Sequence, residues 1–180
     1  KLGAHALFLN TMFAGPQITD VCEREAPVAI IHDSEFTALC DGAGEGRMRF
    51  TAWTDDDAPA FPTLEELIAG GDDSPLEPPD EAGRIVILTS GTTGTPKGAS
   101  RRQPDNLEPA AALFSKIPLR ARQTTMIAAP MFHSWGFAHF TLGMALSSTL
   151  VLRRRFDPEG TLQALSSYRA SWGQVLWFDN

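Results

Sequence analysis

One run of residues stands out for its chemistry: Thr89-Ser90-Gly91-Thr92-Thr93-Gly94-Thr95-Pro96-Lys97-Gly98, directly after the apolar stretch Arg84-Ile85-Val86-Ile87-Leu88. Glycines let a backbone turn tightly and come close to a ligand. Successive main-chain N–H groups in such a turn form a concavity that binds anions. The serine and threonine hydroxyls add donors and Lys97 adds a positive charge. Together these are the groups a polyphosphate needs. The nucleotide-binding P-loop has a lysine between Gly and Ser or Thr. Here Lys97 lies between Pro96 and Gly98, so that pattern fails at two positions. A second run, Pro130-Met131-Phe132-His133-Ser134-Trp135-Gly136-Phe137, joins aromatic residues to a histidine just after another apolar stretch. Read alone, His133 either orients an anionic group at a strand end or packs beneath a loop.

The elements that must position these residues follow from periodicity. Arg84 to Leu88 reads as a buried strand leading into the first run, and Thr124 to Ala129 as one leading into the second. Upstream, Ala4 to Leu9 is a strand, and Gly15-Pro16 opens a helix through Glu25 with Ile18, Val21 and Cys22 on one face. Val28 to Ile31 is a short strand closed by His32-Asp33, Ser34 caps a helix to Cys40, and Met48 to Trp53 alternates as a half-exposed strand. His32 reads as a packing or hydrogen-bonding residue. Thr63-Leu64-Glu65-Glu66 is a capping box for a helix with Leu64, Leu67 and Ile68 on its apolar side, ended by Gly70-Gly71. A helix is expected from Asp105 to Lys116, and another after Pro130 that runs through Leu146 and carries His139 as a structural residue. Thr149 to Leu152 is a strand. Asp157 and Pro158 then start a helix with Leu162, Leu165 and Tyr168 inward. Alternation of strands and helices defines an α/β fold, a parallel sheet with crossover helices.

The net charge of −7 is concentrated in one stretch. Between Phe50 and Gly83 there is no Lys or Arg but ten acids, together with Pro59, Pro62, Pro75, Pro78 and Pro79. That makes residues 54–83 a solvated, mobile segment and leaves the rest of the chain slightly basic. Arg153-Arg154-Arg155 has no aromatic interleaving and reads as a strand end meeting solvent, and Arg101-Arg102 as surface; nothing points to nucleic acid. Cys22 and Cys40 match no metal spacing, so no metal site is expected, and reduced thiols fit a cytoplasmic protein. No run reaches membrane-span length; peripheral membrane contact is left open.

The first run resembles the phosphate loop of the adenylate-forming (AMP-binding) superfamily, which comprises acyl-CoA synthetases, peptide-synthetase adenylation domains and luciferases. Its signature, T-S-G-T-T-G-x-P-K-G, is met at every specified position. Leu9-Asn10, Phe13-Ala14-Gly15-Pro16-Gln17 and Ile31-His32-Asp33 resemble the bacterial fatty-acid–CoA ligase branch, and Phe156-Asp157-Pro158-Glu159 a further family element. The resemblance implies that residues 1–180 are part of the large N-terminal domain, a partial parallel sheet with flanking helices. It implies an enzyme that uses ATP, magnesium and CoA to convert a carboxylic acid, most simply a fatty acid, into an acyl-adenylate and then a thioester. Thr89, Ser90, Gly91, Thr92, Thr93, Gly94 and Lys97 are the implied ATP-phosphate residues. Phe132, His133 and Gly136 are the implied acyl or adenylate residues, with His133 steering the substrate carboxylate.

The family's magnesium-binding glutamate, ribose-binding aspartate and C-terminal catalytic lysine have no counterpart here, so no catalytic residue is assigned and Lys97 does not take that lysine's place. After Tyr168 the pattern breaks. The family continues with a strand, whereas Trp172 to Asn180 holds two tryptophans that do not fit one. A shifted or artificially ended reading frame is the expectation, and the mass of the native product tests it. The alternative function is a truncated, non-catalytic remnant with weak nucleotide binding. A peptide-synthetase adenylation domain fits the upstream segment less well.

Overall fold

The computed structural model describes residues 2–89, 97–101, 120–170 and 172–174. The chain divides into two compact units, Lys1–Arg101 and Arg102–Asn180, described here in turn. The expected helix from Asp105 to Lys116 lies outside the described residues.

In the first unit the order is β1 (Ala6–Phe8), α1 (Gly15–Glu25), β2 (Ala29–His32), two 3-10 turns (Ser34–Phe36 and Ala38–Cys40), α2 (Asp41–Gly44), β3 (Met48–Thr51), α3 (Leu64–Ala69), β4 (Ile85–Thr89) and β5 (Lys97–Arg101). β1 and β4 pair in parallel, as do β2 and β3. A parallel pair cannot be joined by a tight turn. Residues 33–47 supply the crossover between β2 and β3, and they do so with short turns where a single helix was expected. Asp33, not Ser34, occupies the N-cap, and its side chain makes no capping bond.

α1 begins with Pro16 in its first turn, and Gln17 Oε1 accepts from the Ala14 amide at 2.9 Å. Its inner face is the expected one. Ile18, Val21 and Cys22 are buried, and Ile18 and Cys22 form a core cluster with Ile30, Cys40 and Ala43. Cys22 and Cys40 are 0% and 4% exposed. α1 ends at Ala26 in the left-handed region (φ 46). Near this end Arg47 donates to Cys22 O of α1 at 2.9 Å, to Pro27 O beyond it at 3.1 Å and to Ala43 O of α2 at 2.9 Å. A second arginine ties β3 to the crossover. Arg49 donates to Thr37 O at 2.7 Å and to Asp41 Oδ1 at 2.9 Å, and lies 4.0 Å over the Phe61 ring. Its Nη2 also stands 3.3 Å from His32 Nε2, while His32 Nδ1 meets Asp33 O at 2.9 Å. His32 is thus a buried hydrogen-bonding residue, in line with its sequence.

α3 has the full capping box. Thr63 Oγ1 accepts from Glu66 N at 3.1 Å, and Glu66 Oε2 accepts from Thr63 N at 2.8 Å. Its apolar side is not buried among the described residues, since Leu67 and Ile68 are exposed.

The second unit comprises β6 (Thr124–Ile127), α4 (Ser134–Ala145), β7 (Thr149–Leu152), α5 (Pro158–Ser167) and β8 (Trp172–Gln174). The sheet order is β7-β6-β8, all parallel. β6 is the central strand, and Thr125, Met126, Ile127 and the following Ala129 are all buried. Asp157 caps α5 as expected, its Oδ2 accepting from Gly160 N at 2.7 Å. The inner face of α5 differs from expectation. Thr161 is buried, while Leu162 and Tyr168 are exposed. β8 is a correction of another kind. Residues 172–174 lie in a parallel strand, Thr125, Met126 and Ile127 pairing with Trp172, Gly173 and Gln174. The tail therefore does enter the sheet, because ladder pairing is a main-chain property and tolerates an unusual side-chain sequence.

Candidate functional site

The first candidate stretch begins where β4 ends. β4 and β5 form an antiparallel hairpin in register from Ile85↔Arg101 to Thr89↔Lys97. Thr89 and Lys97 are therefore its closing pair, and residues 90–96 connect them. Thr89 stands at the carboxyl end of a strand that runs parallel to β1, the edge where open α/β sheets bind ligands. Ser90, Gly91, Thr92, Thr93 and Gly94 lie outside the described residues. β5 itself was not expected from Lys-Gly-Ala-Ser-Arg, which has no β-branched or aromatic residue. The signal that could have found it is the apolar β4 sequence, which needs a partner on its second edge.

The second stretch begins at the carboxyl end of β6. His133 is the N-cap residue of α4, and its Nδ1 accepts from Trp135 N at 3.2 Å. The side chain is exposed, and Phe132 beside it is partly buried. Gly136 is buried against the chain that precedes the helix. A methyl group there would stand 2.7 Å from Ala129 O and closer still to Pro130 O. Gly136 therefore lets the first turn of α4 lie against the end of β6, which keeps His133 close to that strand's carboxyl end. A methyl group at Gly143, two turns on, would meet the side chain of Leu150 in β7. His139 occupies the buried side between these glycines, as the structural residue expected. It is 5% exposed, its Nδ1 meets Trp135 O at 2.7 Å, and its ring is edge-on to Trp135 at 4.5 Å. Reasoning from sequence missed the role of Trp135, whose main chain joins the two histidines.

No group of three or more His, Cys, Asp or Glu residues that could hold a metal ion occurs among the described residues. None of their helices is long and apolar enough to cross a membrane.

Each candidate stretch thus lies at the carboxyl end of a parallel strand in its own unit, an arrangement suited to nucleotide and acid chemistry. The AMP-binding enzyme family model matches residues 1–175, and the chain belongs to that family. The match extends past Tyr168 and takes in β8. Among curated relatives, an indoleacetate–CoA ligase of Aromatoleum aromaticum is 28% identical over 94% of this chain and 34% of its own length. A long-chain-fatty-acid–CoA ligase of Mycobacterium tuberculosis is 26% identical over 87% of this chain and 31% of its own. The chain therefore spans about a third of the length of the curated relatives it matches. Among solved structures, the inhibitor-bound N-terminal domain of FACL13 from Mycobacterium tuberculosis superposes with a TM-score of 0.72 at 21% identity, covering 95% of this chain and 43% of that one. An O-succinylbenzoate–CoA synthetase of Bacillus subtilis, solved with ATP and magnesium ion, gives 0.71 at 20% identity over 94% and 33%. The fold is that of the N-terminal domains of adenylate-forming enzymes, and the homologues are acid–CoA ligases.

Proposed function

We propose that this chain is the phosphate-handling and acid-orienting part of an ATP-dependent acid–CoA ligase. The observation that carries the reading is the β4–β5 hairpin, whose closing pair, Thr89 and Lys97, bounds the serine-, threonine- and glycine-rich connection. In the reaction, a carboxylate oxygen bonds to the α-phosphorus of ATP and the bond to pyrophosphate breaks. CoA thiolate then attacks the acyl carbon and AMP leaves. The difficulty of the first step is that two anions meet while a third departs. Ser90, Gly91, Thr92, Thr93, Gly94 and Lys97, with Thr89 at the start, stabilise charge on the phosphates by fixed N–H groups, hydroxyls and one cation. His133 orients the carboxylate, Phe132 flanks it, and Gly136 keeps the helix start in place. No residue of this chain is assigned to magnesium, whose part is to neutralise phosphate charge when bound.

Phe132, Trp135 and Phe137 favour an apolar acid. A fatty acid is the first choice, and the indoleacetate specificity of one relative makes an aryl-acetic acid the second. The family match covers the first compact unit and the second as far as residue 175, so residues 1–180 are read as parts of one AMP-binding domain of a cytoplasmic enzyme. The test is ATP–pyrophosphate exchange by a family-length form of the protein, with octanoate and indole-3-acetate as acids. Exchange that depends on one of them supports the reading. Exchange with neither sinks it and favours the non-catalytic alternative.

A further inference from the structure

The parallel pair of β2 and β3 has two unlike faces. Side chains alternate along a strand, and residues in register on parallel neighbours point the same way. Ile30 stands beside Arg49, and His32 beside Thr51. That face is closed. Ile30, His32 and Thr51 are buried, Ile30 packs with Ile18 and Cys22 of α1, and Arg49 is tied to Thr37 and Asp41. The opposite face consists of Ala29 beside Met48 and Ile31 beside Phe50. All four are apolar, yet Ile31 and Met48 are each 57% exposed. The exposed apolar surface continues beyond the strand ends in Val28 and Trp53. Parallel strands are covered on both faces as a rule, and apolar residues on both sides of a strand are the sequence mark of that burial. Ala29-Ile30-Ile31 carries the mark, while the described residues cover one side of it only.

We infer that the face of Ala29, Ile31, Met48 and Phe50 is an internal docking surface, filled in the family-length protein by an apolar element of the AMP-binding domain from outside residues 1–180. The chain matches less than half of a family N-terminal domain, so the same domain has ample further length to supply the cover. Covering four apolar side chains removes hydrocarbon from water, which calls for an apolar occupant. A second copy of this chain suits the face less well. Residues 1–101 hold seventeen acids against seven Lys and Arg, so two copies joined there bring like charge together. The inference rests on family membership and not on the reaction proposed above.

Methionine oxidation by dilute hydrogen peroxide, read by peptide mass spectrometry, reports the cover directly, because an exposed thioether is converted to the sulfoxide and a covered one is spared. In this chain Met48 should react within a few-fold of the rate of an added methionine peptide, while the buried Met126 is spared. In the family-length form Met48 should be protected by about 10-fold or more. Ile31→Thr keeps a β-branched strand former and replaces a methyl-bearing branch by a hydroxyl. It should lower the melting temperature of the family-length form by several degrees and leave that of this chain unchanged. Equal reactivity of Met48 in the two forms overturns the inference, as does an equal effect of Ile31→Thr on both. Protection of Met48 in this chain alone also overturns it. The occupant is then a second copy if protection grows with protein concentration, and the chain itself if it does not.

Discussion

Arg47 does more for the first unit than any residue singled out from the sequence. Its guanidinium meets four main-chain carbonyls, those of Glu45, Ala43, Pro27 and Cys22, which lie two, four, 20 and 25 residues away along the chain. Nothing local in the sequence marks such a residue, because its partners are carbonyls that every residue has. Arg49 was illegible for the same reason, and only Asp41 among its partners carries an opposite charge. His133 stood out as a candidate through the motif around it. Its capping role was not, because that depends on where α4 starts. Gly136 was legible as part of the same motif, though its evident task is a close approach to the end of β6. Removing the Arg47 head group strands partly buried acceptors, at about 1–3 kcal/mol for each one left unsatisfied. Arg47→Ala is expected to lower unfolding free energy by about 2–3 kcal/mol in denaturant titrations. Arg47→Lys should recover only part of this, since an ammonium cannot span the same fork. An unchanged midpoint for Arg47→Ala would show that water serves those carbonyls equally well.

At the scale of elements, the legible parts were those whose sequence pattern and environment agree. β4 and β6 were visible as apolar runs, α1 as an amphipathic helix with Pro16 in its first turn, α3 as a capping box, and α5 through Asp157. The parts not legible depend on neighbours. β5 has poor strand formers and exists as the partner of β4, and β8 likewise as the partner of β6. The expected inner face of α5 failed because Leu162 and Tyr168 looked like core residues by type, while the position that is buried belongs to Thr161. Helix ends also hide strain. α1 stops at Ala26 with φ 46, a conformation that glycine adopts without the steric cost its Cβ imposes. Ala26→Gly is therefore expected to stabilise the chain by about 0.5–1 kcal/mol, despite the greater freedom glycine gives the unfolded state. A thermal melt checks the sign, and a lower melting temperature would mean that the left-handed turn is not kept in solution.

For the whole molecule, two consequences follow from how the units are built. The first is a dependence on pH at the alkaline end. Burial raises the thiol pKa of both Cys22 and Cys40, with Arg47 offsetting part of the rise for Cys22 and Arg49 for Cys40. A raised native value means that folding favours the protonated thiol. The associated stability is fully present below the unfolded value of about 8.5 and is lost as pH rises through the native values. Stability should therefore fall as pH rises above about 8.5. The fall should be shallower in the Cys22→Ala, Cys40→Ala double variant, whose overall stability is lower because of the cavities. Equal slopes would show that other groups control the alkaline limb. The second consequence concerns the family's chemistry. Each candidate stretch follows a strand of a different parallel pairing, β4 in one unit and β6 in the other, so the positions available for ligands were set by topology before any side chain was chosen. The central claim is that the connection closed by Thr89 and Lys97 holds a polyphosphate. It is tested most directly by titrating the chain with ATP while following its backbone amide resonances, in the wild type and in Lys97→Ala. The account predicts shifts concentrated at residues 89–98, weakened about 10-fold or more in the variant at unchanged melting temperature, as loss of one charged contact implies. Shifts located elsewhere, or an affinity indifferent to Lys97, would contradict it.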